Sequence, residues 1–364
     1  MVYQANPFTP TFGRQPYELA GRTELIDDVV YGLSNQPGDP NRATIFIGPR
    51  GSGKTVLLDT IAAIAEEMGW IQASVSAHDG MLREIASQLH TKSPHPLSEE
   101  VRSYITSVQA GPIGITRSVE PVETTWRTLL TGIVSELNEQ GVAVLFVVDE
   151  VDPKCEELIR LVEIFQHFVR EERDVALLLG GLPSKVSALL MDDYVSFVRR
   201  AFQRPLEPIM DIDVAHALKQ TIQGNGRDIE PDALEMAVQA ARGFAFAIQL
   251  VGYYLWRDGG ASGVITAEEA KDAIKRAQLE FERSIVQPTL RDLTVRESEF
   301  LNAMVLDEGP SRTSVIASRM GISLTNAANL RKRLIAHGII NDIHLGEVEF
   351  LMPQLKDYLR EHPL

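Results

Sequence analysis

Gly48-Pro49-Arg50-Gly51-Ser52-Gly53-Lys54-Thr55 is the stretch on which the reading of this chain turns. It fits the pattern G-x-x-x-x-G-K-[ST] at every position. An apolar run, Ala43 to Ile47, precedes it, and Val56 to Ala63 follows with helical spacing. Strand, loop and helix in that order are the setting the pattern requires. Glycines let the backbone curl until several amides point at one place, and the N-terminus of the next helix adds the positive end of its dipole. A triphosphate fits such a cradle, with contacts running from Gly48 through Val56. Lys54 can reach the outer phosphates, and the Thr55 hydroxyl can ligate Mg²⁺. The bland alternative is a glycine-rich turn that carries a surface lysine.

Working outward, the next strong signal is Val142 to Val148, an unbroken apolar run that ends in Asp149-Glu150. A strand without polar interruptions is expected in a sheet covered on both faces. Acids at its carboxyl end lie where open α/β sheets bind ligands. Asp149 can hold Mg²⁺ through water, and Glu150 can polarise an attacking water. The bland alternative is a pair of exposed acids at a strand end. A further buried strand, Val175 to Leu179, leads into Gly180-Gly181-Leu182-Pro183-Ser184.

The remaining segments fall into a simple order. Thr23 to Leu33 reads as a helix, Trp70 to Ser76 as a strand, Met81 to Leu89 as a helix, Ile113 to Val119 as a small hairpin, and Thr124 to Gln140 as a helix. Cys155 to Glu172 and 186–203 read as helices, and Pro205 to Pro208 as a last strand or link. Strands alternating with helices through residue 208 predict a parallel three-layer α/β core over 1–208. Beyond it only helices are expected (211–223, 231–242, 244–257 and 266–285), a helical lid over 209–288. Residues 289–364 give a helix from Thr294, a second over Ser311–Arg319, a turn, a third capped by Ser323, then strand, turn and strand. That order is a winged helix-turn-helix.

Composition bounds the function classes. The chain has 364 residues, 44% of them hydrophobic and 23% charged, as in an ordinary soluble multidomain protein. No apolar run approaches a membrane span, and no secretory signal is visible at the start. A lone cysteine, Cys155, permits no internal disulfide and fits a reducing cytoplasm. Beside Glu156 and Glu157 it reads as inert. The net charge of −15 argues against a protein coated in nucleic acid, though a local DNA-reading element remains open.

Taken together, these motifs resemble the AAA+ ATPases, in the branch of initiator-like (Orc/Cdc6-type) and related archaeal-type ATPases with a C-terminal winged helix. The likeness covers nearly the whole chain. The segment Phe12-Gly13-Arg14 to Leu19-Ala20-Gly21-Arg22 matches the stretch that packs near the adenine in that family. The resemblance implies an ATP and Mg²⁺ site with Lys54 and Glu150 as the catalytic pair and Thr55 and Asp149 toward the metal. It also implies an arginine finger at Arg199 or Arg200. The family's first sensor, a polar residue after strand 175–179, has no polar counterpart before Ser184. Its second, an arginine in the lid, falls at Phe246, with Arg242 offset.

A site with Lys54, Thr55, Asp149 and Glu150 but without assured arginines is expected to bind ATP and hydrolyse it slowly, which suits a switch. For its output, Ser323, Thr325, Asn326 and Asn329 could reach base edges and Arg331, Lys332 and Arg333 phosphates of duplex DNA. Against this, residues 289–364 hold nine Lys/Arg and ten Asp/Glu, and the wing carries Asp342, Glu347 and Glu349. A signalling ATPase whose winged helix contacts a protein partner, or a second copy of the chain, is therefore kept beside the DNA reading. A P-loop phosphotransferase acting on a small substrate stands third, because lid and winged helix would have no role in it.

Overall fold

The computed structural model describes residues 5–11, 14–99, 101–102, 122–191, 196–260, 263–291 and 293–362. Phe12 and Gly13, and the hairpin expected over Ile113–Val119, lie outside the described residues. The chain divides into two compact units. One comprises Glu24–Ile47 and Lys54–Pro205, and the other Met1–Thr23, Gly48–Gly53 and Leu206–Leu364.

The first unit is a five-stranded parallel sheet with helices on both faces. Its strands are β1 (Ala43–Ile47), β2 (Ile71–Ser76), β3 (Val144–Asp149), β4 (Val175–Gly181) and β5 (Phe202–Pro205), in the order β2-β3-β4-β1-β5. Its helices are α1 (Thr23–Ser34, its first residue counted with the other unit), α2 (Lys54–Glu67), α3 (Met81–Lys92), α4 (Val122–Glu139), α5 (Glu156–Arg170) and α6 (Pro183–Met191). The central strands read as they do because both faces are covered: Val144 to Val148 are all buried, and every residue of β4 is too. On α5, Leu158, Leu161, Val162, Phe165 and Phe168 recur at helical spacing and turn one stripe inward. Phe168 stacks on Phe146 with ring centroids 6.2 Å apart. Burying such side chains contributes about 1.5–3 kcal/mol each.

One expectation here is corrected. The helix predicted over 186–203 stops at Met191, and the described chain resumes as a short 3-10 turn, Ser196–Arg200, before β5. Phe202 to Pro205 pair with Thr44 to Ile47 along the open edge of the sheet. The unmet backbone groups of β1 outweigh the local helical pattern there, and Pro205 is tolerated because β5 is an edge strand.

The second unit contains the helices α7 (Asp211–Gly224), α8 (Pro231–Ala241), α9 (Ala245–Asp258) and α10 (Ala267–Phe281). Thr266 opens α10 with a capping box closed by Glu269. The expectation of helices alone is corrected by a two-residue parallel ladder, Asp228–Ile229 with Val264–Ile265 (β6 and β7). It ties the loops that follow α7 and α9, and two residues are too short to show a periodicity.

After a π-turn at Glu282–Val286 and the short α11 (Gln287–Arg291) come α12 (Val295–Val305), α13 (Thr313–Met320) and α14 (Leu324–Ala336). Strands β8 (Ser311–Arg312), β9 (Ile340–His344) and β10 (Glu347–Phe350) form an antiparallel sheet in the order β8-β10-β9, and α15 (Pro353–Glu361) ends the chain. Three helices with this sheet have the order of a winged helix. Ser311 and Arg312, expected inside a helix, are instead drawn into the sheet by pairing with Val348 and Glu347. No helix among the described residues is long and apolar enough to cross a membrane.

Candidate functional site

Gly51 and Gly53 carry φ of 78° and 92°. These are left-handed values that other residues adopt only with strain. They let the loop curl and deliver the chain into α2, whose first two residues are Lys54 and Thr55. Lys54 is half-buried, Thr55 and Arg50 are exposed, and Val56 is half-buried. Gly48 and Pro49 are buried, as is Ser52, whose hydroxyl has no hydrogen-bond partner among the described residues. An unmet buried hydroxyl is costly unless something arrives to satisfy it.

Thr55 donates its hydroxyl proton to Asp149 Oδ2. The other carboxylate oxygen of Asp149 accepts the backbone N–H of Glu150 at 2.8 Å. The start of α2 and the end of β3 thus meet through the two side chains named as metal-binding. Ala77 donates to the Asp149 carbonyl at 3.1 Å, and Val151 to that of Gly180 at 2.9 Å, which fixes the turn after β3 from both neighbouring strands. Glu150 itself is exposed and holds φ of 52°. A non-glycine residue there stores about 1–3 kcal/mol of strain.

Two features of this corner escaped the sequence reading. Asp59 lies one turn beyond Thr55 on α2, and its carboxyl is pushed above the usual range by burial and then by the charge of Asp149. Its spacing of four from Thr55 was the available signal. Gly180 lies near the carboxyl end of β4. A Cβ there would come within 2.7 Å of Leu58 Cδ1 and 2.8 Å of Asp149 Oδ1. Leu58 and Asp149 together leave no room there for a larger side chain. Ser184 is half-buried on α6, and next to it Lys185 pairs with Asp152 at 2.7 Å, which draws that carboxyl below its ordinary range.

Arg199 and Arg200 are exposed in the turn before β5, and the Arg199 guanidinium donates to the Leu190 carbonyl at 2.6 Å. By the register of β5 on β1 they stand at the amino-terminal edge of the sheet, whereas Asp149 closes the carboxyl end of β3. Neither arginine is brought to Asp149 within one chain. In the other unit, the backbone N–H of Phe246 donates to the Gly51 carbonyl at 3.1 Å. Arg242 turns elsewhere and pairs with Asp357 of α15 at 2.8 Å.

In the C-terminal segment, Ser323 is used as the cap of α14, accepting the Asn326 N–H at 3.2 Å. Thr325, Asn326, Asn329 and Lys332 are exposed. Arg331 pairs with Asp342 of the wing at 2.7 Å. Arg333 approaches Glu297 at 3.5 Å. Glu297 is 2% exposed. Burial would raise its carboxyl, but the Thr294 hydroxyl and amide, with Arg333 and His337, bring it below the usual range. Exposed apolar groups stand nearby in the sequence: Leu324 on α14 and Leu345 at the wing tip. Cys155 is buried with its thiol toward Met81, and burial raises its pKa, in keeping with an inert role.

The fold and this corner are those of a parallel-sheet P-loop protein. Residues 39–190 match the family described as AAA domain, and residues 283–359 match a domain of unknown function (DUF8462). Among solved structures, the Walker-type ATPase PABY2304 of Pyrococcus abyssi matches with a TM-score of 0.65 at 17% identity, over 95% of this chain and 97% of that one. The ORC2 protein of Aeropyrum pernix, solved in ADPNP–ADP complexes, matches with a TM-score of 0.51 at 16% identity, over 97% and 95%. Cdc6p from Pyrobaculum aerophilum matches with a TM-score of 0.50 at 15% identity, over 97% and 95%. No curated protein matches. At these identities the likeness shows the fold alone, a parallel-sheet P-loop core shared with these archaeal proteins.

Proposed function

We propose that this chain is an ATP-binding AAA+ switch, slow to hydrolyse ATP alone, that couples nucleotide state to its C-terminal winged helix. It works in three parts: a core over 1–208, a lid over 209–288 and the winged helix over 289–364. The observation that carries the reading is the contact of Thr55 with Asp149, at the head of a helix entered through Gly51 and Gly53. It brings the two expected Mg²⁺ residues together, and the likeness to the ADPNP–ADP complexes of the Aeropyrum protein supports nucleotide as the ligand.

The residues present fit ATP and Mg²⁺. Gly48 to Val56 would hold the phosphates, with Lys54 toward the outer ones, and Thr55 and Asp149 would hold the ion. When bound, Mg²⁺ would supply charge that offsets the phosphate oxygens. Glu150 would orient a water and take its proton. Arg242 is tied to Asp357, and Arg199 and Arg200 stand at the far edge of the sheet. Slow turnover follows, with self-association as the route by which a finger would arrive. Lys54→Ala is expected to abolish nucleotide binding, and Glu150→Gln to keep binding and stop phosphate release. Normal turnover by Glu150→Gln removes Glu150 as the base.

The output proposed first is duplex DNA, read by Thr325, Asn326, Asn329 and Lys332 on the exposed side of α14. A protein partner is the second reading, and specific contacts favour it: Arg331 and Arg333 are engaged by Asp342 and Glu297, and Leu324 and Leu345 are exposed. DNA affinity titrated against salt, with ATP and with ADP, separates them. Absence of binding at low salt in both states discards the DNA reading and leaves the protein one.

A further inference from the structure

We infer that the turn Ala241–Phe246 is a mechanical link between the phosphate loop and the C-terminal helix α15, so that nucleotide binding is felt by the winged helix through it. The inference rests on the nucleotide reading proposed above and adds the route of the coupling.

One end of the turn lies on the phosphate loop. Phe246 donates its N–H to the Gly51 carbonyl at 3.1 Å. The packing is close: a Cβ built on Gly51 would stand 3.3 Å from Phe246 Cβ, and one on Gly53 would stand 3.2 Å from Ala245 Cβ. The other end lies on α15. Gln354 donates its amide to the Ala241 carbonyl at 3.1 Å, and Arg242 pairs with Asp357 at 2.8 Å. Beside these two contacts the seam of α8, α9 and α10 with α15 holds a cleft of about 910 Å³. Leu355 and Leu359 hold α15 to the core at 0% and 1% exposure, and the two polar contacts join it to the turn.

The middle of the turn is stiff. Arg242 and Gly243 have φ of 47° and 72°. Gly243 accepts the Ile209 N–H at 2.9 Å, and any side chain at 243 would come within 2.4 Å of the Ile209 carbonyl oxygen. A segment so short, held at its centre and allowed few backbone conformations, moves as one piece. Phosphate binding engages the loop amides, and any shift that it causes in the loop reaches Gly51. A shift of Gly51 must then break the bond to Phe246 or carry the turn, and with it the anchor of α15. At Phe246 the lid responds to the loop backbone.

The test is amide hydrogen exchange of the full chain with and without ADP, beside the double variant Gln354→Ala/Asp357→Asn, which leaves the phosphate loop intact. In the wild type, ADP is expected to change exchange by roughly tenfold at residues 48–58, at 241–246 and at 353–361. In the double variant the change at 353–361 is expected to vanish while that at 48–58 persists. An ADP effect at 48–58 with none at 353–361 in the wild type overturns the link alone. An unaltered effect at 353–361 in the double variant overturns it as well. No ADP effect anywhere refutes the nucleotide reading and the link with it.

Discussion

Gly180→Ala tests whether the end of β3 is positioned as described. The added methyl would start 2.7 Å from Leu58 Cδ1 and 2.8 Å from Asp149 Oδ1. Leu58 is 1% exposed and cannot swing into solvent. Asp149 is the softer neighbour, but moving it breaks the Thr55 hydrogen bond and the bond from the Glu150 N–H. Overpacking of a core by one carbon costs about 1–3 kcal/mol. Loss of two hydrogen bonds to a carboxylate falls within the same range, and relaxation makes the terms overlap. The expected outcome is a loss of about 1–3 kcal/mol in the unfolding free energy of the sheet-bearing unit. Mg²⁺-dependent ATP affinity should fall with it, while the weaker Mg²⁺-independent affinity should change less. Denaturant unfolding and a nucleotide titration with and without Mg²⁺ measure both. A variant within about 0.5 kcal/mol of the wild type, with its Mg²⁺ dependence intact, would refute the reasoning that Leu58 and Asp149 leave no room beside Gly180.

Other outcomes follow from the same structure. Glu297 sits below the usual carboxylate range, so its contribution is complete at neutral pH and is lost only as pH falls through its lowered folded value. Glu297→Gln should flatten the acid limb of a stability-against-pH curve, and an unchanged limb would contradict this. If α14 binds DNA, Lys332→Ala should reduce the slope of affinity against salt by about one unit. Arg331→Ala should change that slope less, because Asp342 already neutralises the arginine; equal effects would mean that the ion pair opens on binding. Buried Cys155, with its pKa raised, should resist a thiol reagent in the native state and react on unfolding, which a timed labelling experiment reads.

The parts of the fold that the sequence made legible are those with long local signals. An unbroken apolar strand, the spacing along α5 and the cap at Ser323 each announce themselves within one element. β5, expected as a last strand or link over Pro205–Pro208, begins earlier at Phe202, because it is defined by the bare edge of β1, which lies far away in sequence. The ladder of β6 with β7 and the pairing of β8 with β10 failed for the same reason. At the site, the meeting of Thr55 with Asp149 was foreshadowed by two separate signals, the glycine loop and the acids that end an apolar run. Gly180 was not, because its meaning is the volume of Asp149. The fates of Arg242, Arg331 and Arg333 were equally hidden, since an ion pair is visible only when its partner is placed.

The left-handed backbone at Glu150 has an evolutionary corollary. Glycine, asparagine or aspartate would sit there more comfortably, so a library selected for heat resistance alone should drift toward them at this position. A library selected for ATP turnover should retain glutamate. The two enrichment profiles would diverge at residue 150, marking a place where durability and chemistry pull the same residue in opposite directions.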